Sequence, residues 1–275
     1  MDVFPRAFLL VFCQLAVGGL FCLAIPPFHE VERGYYKSSA FVYVLIAALA
    51  LAGRLALWWG STGEDPGWRL FEIALWTLFV GCAAGYLASL WGDRVRLRAR
   101  LFSASWLSGV AALIALAEGY RQSPAISLEA IAFPLTFLCS ALLLGSAASG
   151  MLLGHWYLID RDLSLVPLDQ TASLYVGTLA AQTALLIISV VLLAWLGASA
   201  ARSGVDALLH DDIGLLAARV AVSPIGAGIL GVMIRRTLAI PQTMAATGLF
   251  YIAVLAVLVG ELLGRFLLFR TGLPL

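Results

Sequence analysis

The sequence predicts an all-α, polytopic integral membrane protein: a helical bundle with about eight transmembrane helices. Apolar residues make up 62% of the 275 residues and charged residues only 12%, whereas an ordinary soluble domain carries about 25% charged residues. The mean hydropathy is +0.97. The apolar residues also occur in long stretches with short connections between them. Such a chain cannot cover its apolar surface in water, so we expect it to fold in a bilayer.

Eight stretches are long enough to cross a membrane. A spanning helix needs roughly 20 apolar residues, because each residue rises about 1.5 Å through about 30 Å of hydrocarbon. Together the stretches predict one transmembrane domain over residues 1–275. The fourth is short and contains several serines, so seven spans is the alternative. The predicted spans are Ala7–Ile25, Ser38–Trp59, Leu70–Leu90, Leu101–Ala117, Leu128–Leu153, Ala172–Leu196, Ile213–Ile234 and Thr247–Phe269.

The basic residues of the loops predict the orientation. Lys and Arg in short loops remain on the cytoplasmic side of a bacterial inner membrane. Nine follow odd-numbered spans and five lie opposite, which predicts that both termini are outside the cytoplasm. Four of the nine belong to the run Asp93–Arg100, which we interpret as a topology anchor touching anionic headgroups, with a specific partner site as the alternative. The nine are Arg33, Lys37, Arg94, Arg96, Arg98, Arg100, Arg161, Arg235 and Arg236.

Five ionisable residues are predicted to lie inside the membrane, at similar depth towards the external side. Glu261 and Arg265 are one helical turn apart and can pair directly. Arg54 and Glu72 lie on sequential helices and can meet across a short hairpin. Ionisable groups persist in hydrocarbon when they are paired, hydrated or required for function. The five residues therefore predict one of two things: pairs that neutralise each other, or a site for a proton path or a polar ligand. The five residues are Arg54, Glu72, Arg219, Glu261 and Arg265.

Polar and aromatic residues of three loops predict a second site, on the cytoplasmic side. One interpretation is an aromatic belt with a hydrated imidazole. The other is a quinone headgroup site, in which His155 and Tyr157 donate to the carbonyl oxygens and a carboxylate takes the protons released on quinol oxidation. The acidic candidates are Glu30 and Glu32. The predicted site consists of His155, Trp156, Tyr157, Glu30, Glu32 and Gln242.

Haem, metal and nucleic acid are not predicted as ligands. The chain has three histidines and four cysteines, and no HExxH, paired CxxC, Walker or GxSxG pattern occurs. The net charge of +1 gives no basic surface for nucleic acid. We interpret the cysteines, which all lie within predicted spans, as small packing residues. They are Cys13, Cys22, Cys82 and Cys139.

Segments of the first and last spans resemble a known family. Phe12–Gly18, Ala246–Tyr251 and Gly260–Phe266 look like the membrane-anchor subunits of dimethyl sulfoxide reductase and of the related NrfD/polysulfide reductase group. The resemblance implies a cofactor-free membrane subunit that exchanges electrons between menaquinone or ubiquinone and an iron–sulfur and molybdopterin partner. Eight spans with external termini agree with it. The segment Gly154–Tyr157 departs from the family pattern, and the family's partner usually docks externally.

The leading functional hypothesis is therefore a quinone- or quinol-interacting membrane subunit of a respiratory oxidoreductase. Its partners would be membrane lipids and iron–sulfur redox subunits, and the chain would be at most one subunit of the enzyme. The first alternative is a small-solute or ion transporter that uses the buried charges, with Pro134 and Pro224 kinking its helices. The second is a membrane scaffold or assembly protein without a ligand.

Overall fold

The computed structural model describes residues 3–59, 66–121, 127–160, 162–240 and 242–275. Helices account for the regular secondary structure in these ranges, and no strand occurs there. Arg161, counted among the loop charges, lies outside the described residues. The helices are α1 (Val3–Cys22), α2 (Arg33–Trp59), α3 (Pro66–Ser89), α4 (Val95–Glu118), α5 (Glu129–Trp156), α6 (Val166–Leu196), α7 (Ser199–His210), α8 (Ile213–Val220), a π-helical segment (Ala221–Ala227), α9 (Gly228–Ala239) and α10 (Thr243–Thr271).

Eight helical stretches in the described ranges are long and apolar enough to cross a membrane, one of them the continuous stretch Ile213–Ala239. The predicted fold class is confirmed, and the protein is a multi-pass membrane protein. The fourth stretch is longer than predicted, Val95–Glu118, because the arginine-rich segment before it is also helical. We call the side where α1 begins and α10 ends the terminal side. The opposite side, with most loop arginines, is the basic side.

Helices α1 and α5 form the centre of the bundle, and small residues let their backbones touch. A Cβ atom added to Gly145 would lie 2.2 Å from the carbonyl carbon of Gly18, and one added to Gly18 would lie 1.7 Å from the carbonyl oxygen of Ala141. Side chains larger than hydrogen do not fit at these positions. Small residues at the interface are the usual way for membrane helices to approach closely.

Helix α10 packs on the opposite face of α5 by the same principle. Gly150 lies against the ring of Phe250, and Gly154 lies against Thr247. After α10, Gly272 adopts a left-handed conformation with φ of 71°, which ends the helix without the steric cost a side chain would bring. The chain then turns back, and Leu275 becomes buried.

The seventh span changes its helical form near its middle. The π-helical segment Ala221–Ala227 contains Pro224, which has no N–H for the helical ladder. We predicted a kink at this proline, and a π-helical stretch is how the backbone accommodates it. The hydroxyl of Tyr175 donates to the carbonyl oxygen of Ala227 at 2.8 Å. A side chain of α6 thus satisfies one carbonyl at the end of the π-helical segment, as the apolar surroundings require.

Candidate functional site

The five ionisable residues predicted inside the membrane form two groups on the terminal side of the bundle. In the first group, Nη2 of Arg54 donates to Oε2 of Glu72 at 2.5 Å. The exposed fractions of the two side chains are 16% and 5%. The residues come from α2 and α3, so the pair joins two helices that are sequential in the chain.

The second group is more deeply buried. Nη2 of Arg265 donates to Oε2 of Glu261 at 3.0 Å, and Nη2 of Arg219 lies 4.0 Å from Oε1 of the same carboxylate. No side chain of the three is more than 2% exposed. One carboxylate thus lies between two guanidinium groups, and Glu261 joins α8 to α10. We call these three residues the buried triad.

Polar residues and glycines close the space around the buried triad. Arg265 also donates to Oγ of Ser140 at 2.6 Å and to the carbonyl oxygen of Leu275 at 2.8 Å. Gln182 donates to the same serine at 2.9 Å. A Cβ atom on Gly264 would lie 2.5 Å from Nη1 of Arg219. These contacts join α5, α6, α8 and α10 around one carboxylate and two guanidinium groups, and Nη1 of Arg219 has no hydrogen-bond partner among the described residues. Ser140 and Gln182 were not predicted, although polar side chains within spans were the available signal.

On the basic side, the structure links Tyr157 to Glu30 through Ser164. The Tyr157 hydroxyl donates to the carbonyl oxygen of Ser164, and Oγ of that serine donates to Oε2 of Glu30 at 3.1 Å. Burial raises the pKa of Tyr157 to about 12, so its hydroxyl stays protonated at neutral pH. Glu30 also borders an open cavity of about 440 Å³ together with Asp160 and Asp162.

The other residues of the predicted loop site have different neighbours. His155 is exposed, and its Nδ1 lies 3.3 Å from the hydroxyl of Tyr251. Trp156 packs edge-on against Tyr35 of α2, with ring centroids 6.3 Å apart. Glu32 and Gln242 are exposed. The structure therefore brings Glu30 and Tyr157 together, while His155 and Trp156 contact other helices.

A pocket of about 290 Å³ lies on the basic side between the end of α1, α2, α3 and the start of α4. We call it the boundary pocket. Four of the eleven residues that line it are aromatic. The ring centroids of Phe28 and Tyr36 are 4.6 Å apart, and those of Tyr86 and Phe102 are 5.0 Å apart. The Tyr36 hydroxyl donates to the carbonyl oxygen of Pro26 at 2.6 Å, which fixes this part of the wall.

Arg98 is the charged residue in the wall of the boundary pocket. It is 7% exposed, whereas Arg94, Arg96 and Arg100 of the same run are exposed. Its guanidinium carbon lies 4.3 Å from the ring centroid of Phe28, a cation–π contact. Its Nη1 atom is buried and has no hydrogen-bond partner among the described residues. The interpretation of the run as a topology anchor, or alternatively as a partner site, stays a prediction, and Arg98 differs from the other arginines of the run because it lines a cavity.

A second, deeper cavity of about 200 Å³ lies between α1, α4 and α5. We call it the deep pocket. Its walls come from apolar residues and a glycine, and it contains no charged side chain. The residues that line it are Val17, Gly18, Phe21, Trp106, Val110, Leu138, Ala141 and Leu142.

No protein-family model matches the chain, and comparisons with curated proteins and with solved structures find no significant match. The resemblance to the membrane anchors of the NrfD/polysulfide reductase group therefore stays a prediction. Within the described ranges, no group of three or more His, Cys, Asp or Glu side chains is placed to hold a metal ion. The boundary pocket combines open volume, aromatic side chains and an arginine whose buried Nη1 atom has no hydrogen-bond partner among the described residues.

Proposed function

We propose that this protein is a quinone- or quinol-binding membrane subunit of a respiratory oxidoreductase, and that the headgroup binds in the boundary pocket. The observation that carries the proposal is that Arg98 belongs to the pocket wall and that its buried Nη1 atom lacks a hydrogen-bond partner among the described residues. A buried donor without a partner costs free energy. A ligand with a carbonyl oxygen or phenolate that accepts a hydrogen bond from Arg98 would offset this free-energy cost.

The chemistry of the pocket suits a quinone. A quinone headgroup is a flat ring with two carbonyl oxygens, and the rings of Phe28, Tyr36 and Phe102 offer apolar surfaces for it. Arg98 would donate to one oxygen. The site proposed from the sequence was different, since it relied on His155. In the structure that side chain is exposed and contacts Tyr251.

Oxidation of a quinol to a quinone releases two protons and two electrons. We propose that protons leave through Glu30, which belongs to the same loop as Phe28 and borders the open acidic cavity with Asp160 and Asp162. The electrons would pass to an iron–sulfur partner subunit. Menaquinone and ubiquinone are both candidates, because each has two carbonyl oxygens, one of which Arg98 would bind.

We also propose that the protein resides in a bacterial cytoplasmic membrane, with both termini outside the cytoplasm. The support is the excess of loop Lys and Arg on the basic side, nine against five. The boundary pocket would then open towards the cytoplasm. Reporter fusions after Arg96 and after Leu275 should report inside and outside respectively. The same compartment for both fusions would contradict this orientation.

The test of the quinone proposal compares two arginines of the same run. Arg98→Gln removes the buried donor, whereas Arg96→Gln changes an exposed arginine two residues away and is the matched control. We expect purified wild-type protein in lipid nanodiscs to bind menaquinone saturably, measured by quenching of tryptophan fluorescence. Arg98→Gln should weaken this binding at least tenfold, because a hydrogen bond from a charged donor is worth about 1.5–3 kcal/mol.

Two results would contradict the quinone proposal. The first is an absence of saturable binding to the wild type for both menaquinone and ubiquinone. The second is an equal loss of affinity in Arg98→Gln and Arg96→Gln, since that would assign the effect to surface charge. Arg98→Lys keeps the charge but presents fewer donors, and we expect it to restore part of the affinity.

A second candidate function, a carrier for a small solute or ion, is favoured by the buried triad. Three ionisable side chains lie within a membrane bundle, beside a span whose helix changes to π form at Ala221–Ala227. Such residues often mark transport paths, and π-helical segments often occur at functional sites. A carrier would give a solute or proton flux in proteoliposomes that contain this chain alone. Glu261→Gln should abolish that flux.

A further inference from the structure

Residues of α4 line both the boundary pocket and the deep pocket, and residues of α1 or of the loop that follows it form another wall of each. On α4, Arg98 and Phe102 line the boundary pocket, and Trp106 and Val110 line the deep pocket. These four residues are spaced by four, so they follow one ridge that turns by about 40° per step, or about 120° from Arg98 to Val110. We call the two cavities and the surface of α4 between them the groove.

Helix α1 forms the facing side of this groove. Its residue Phe21 lines the deep pocket, and Ala24, three positions later, lines the boundary pocket. Ala24 lies in the turn after α1, which ends at Cys22. Helix α1 runs towards the basic side and α4 runs away from it. The antiparallel pair carries the groove from the membrane boundary into the hydrocarbon.

Phe21 and Trp106 both line the deep pocket and contact each other there. Their ring centroids are 5.6 Å apart, and both side chains are partly exposed. Neither ring is locked by a buried core, so the pair can separate by rotation of two side chains. We therefore regard the pair as the point at which a long ligand would pass from one cavity into the other.

The length of the groove exceeds that of a headgroup. Arg98 and Val110 are 12 residues apart, which corresponds to about 18 Å along the helix at 1.5 Å per residue. This is more than half of the hydrocarbon thickness of about 30 Å. A ligand that filled both cavities would need a polar end at Arg98 and one long apolar chain.

We infer that the groove binds an isoprenoid quinone by its tail as well as by its headgroup, and that the deep pocket is the tail site. This inference rests on the proposed function, since it takes the boundary pocket as the headgroup site. The deep pocket adds binding through apolar contact alone, because its walls carry no charged side chain. Affinity should therefore depend on the tail.

The test uses two ligands with the same naphthoquinone headgroup: menaquinone, which has an isoprenoid tail, and menadione, which has none. Val110→Trp puts an indole into the deep pocket. Leu107→Trp adds the same side chain on the lipid-facing side of α4, where Leu107 is 60% exposed, and serves as the control. We expect the wild type and Leu107→Trp to bind menaquinone at least tenfold more tightly than menadione. Val110→Trp should abolish this preference without weakening menadione binding.

The outcomes separate the two proposals. If neither ligand binds the wild type, the proposed function fails. If both bind the wild type equally tightly, the headgroup site stands and the tail site is overturned. A loss of menadione binding in Val110→Trp would also overturn it, because the change would then act on the headgroup. If Val110→Trp does not accumulate, Leu142→Phe fills the same pocket from α5 and should give the same selective loss.

Discussion

The buried triad and the groove are both built around arginines, but their arginines have different surroundings. Arg219 and Arg265 share the carboxylate of Glu261, and glycines and polar residues fill the space beside them. Arg98 contacts the face of an aromatic ring, faces a cavity and has no carboxylate partner among the described residues. Both groups contain a buried donor atom without a hydrogen-bond partner among the described residues, Nη1 of Arg219 and Nε of Arg265 in the triad and Nη1 of Arg98 in the groove. The difference is that Arg98 lies in the wall of a cavity, whereas the two triad arginines contact Glu261.

This difference shows that burial alone does not identify a functional charge in a membrane protein. The triad contains the most deeply buried ionisable residues described here, and charged residues in hydrocarbon attract functional interpretation. However, its ionic contacts join α8 to α10, which is sufficient reason to retain the residues. A buried donor that lacks a partner beside open volume is the stronger indication of a binding site.

The largest expected effect concerns the triad. Glu261→Ala removes the carboxylate between two buried guanidinium groups, and leaving a buried charge without its partner costs roughly 3–5 kcal/mol. We expect a loss of stability of this size, measured by denaturant unfolding in detergent. Combining it with Arg265→Ala should cost less than the sum of the two single changes, because the pair is coupled.

The control for this cycle is an ion pair on the basic side. Nη1 of Arg235 lies 3.0 Å from Oδ1 of Asp169, and both side chains are about half exposed. Asp169→Ala should change stability by less than about 1 kcal/mol, as exposed pairs usually do. Strict additivity of Glu261→Ala and Arg265→Ala would show that the triad is not coupled. The contrast between paired and unpaired arginines would then lose its basis.

The second effect tests whether the groove depends on the close contact of α1 with α5. Gly145→Ala places a methyl group against the backbone of Gly18, which lines the deep pocket. The helices must move apart, and we expect a loss of roughly 3 kcal/mol, at the upper end for overpacking. Menaquinone affinity should fall with it. Gly177→Ala on α6 meets no neighbouring atom within 4 Å and should be tolerated.

An unchanged unfolding midpoint for Gly145→Ala would contradict the described contact between the two backbones. If Gly145→Ala lowers the stability but leaves the menaquinone affinity unchanged, binding does not depend on the close contact of α1 with α5. The tail would then be bound mainly by α4.

The smallest effect concerns the aromatic face beside Arg98. Phe28→Leu keeps an apolar side chain but removes the ring that contacts the guanidinium, and a cation–π contact is worth about 1 kcal/mol. We expect menaquinone to bind about fivefold more weakly, with the unfolding midpoint nearly unchanged. Phe41→Leu, on the lipid-facing side of α2 with 58% exposure, is the control. Equal affinities for the two variants would remove Phe28 from the site.

Local rules made the spans and one ion pair predictable from the sequence. The length of an apolar stretch is set by the thickness of the bilayer, so eight spans were visible without any knowledge of packing. Glu261 and Arg265 are one turn apart on the same helix, and their pairing follows from helical geometry alone. The meeting of Arg54 with Glu72 was also predictable, because sequential helices joined by a short connection lie side by side.

The binding groove depends on contacts that only the tertiary structure decides. Successive arginines in the run Arg94–Arg100 are two residues apart, so each is turned by about 200° from the last on a helix of 3.6 residues per turn. No periodicity in the sequence tells which of them faces the bundle. Arg98 does so because α4 packs beside the loop that carries Phe28. That contact joins residues 70 positions apart in the chain. Both residues can be read from the sequence, but their contact becomes visible only in the tertiary structure.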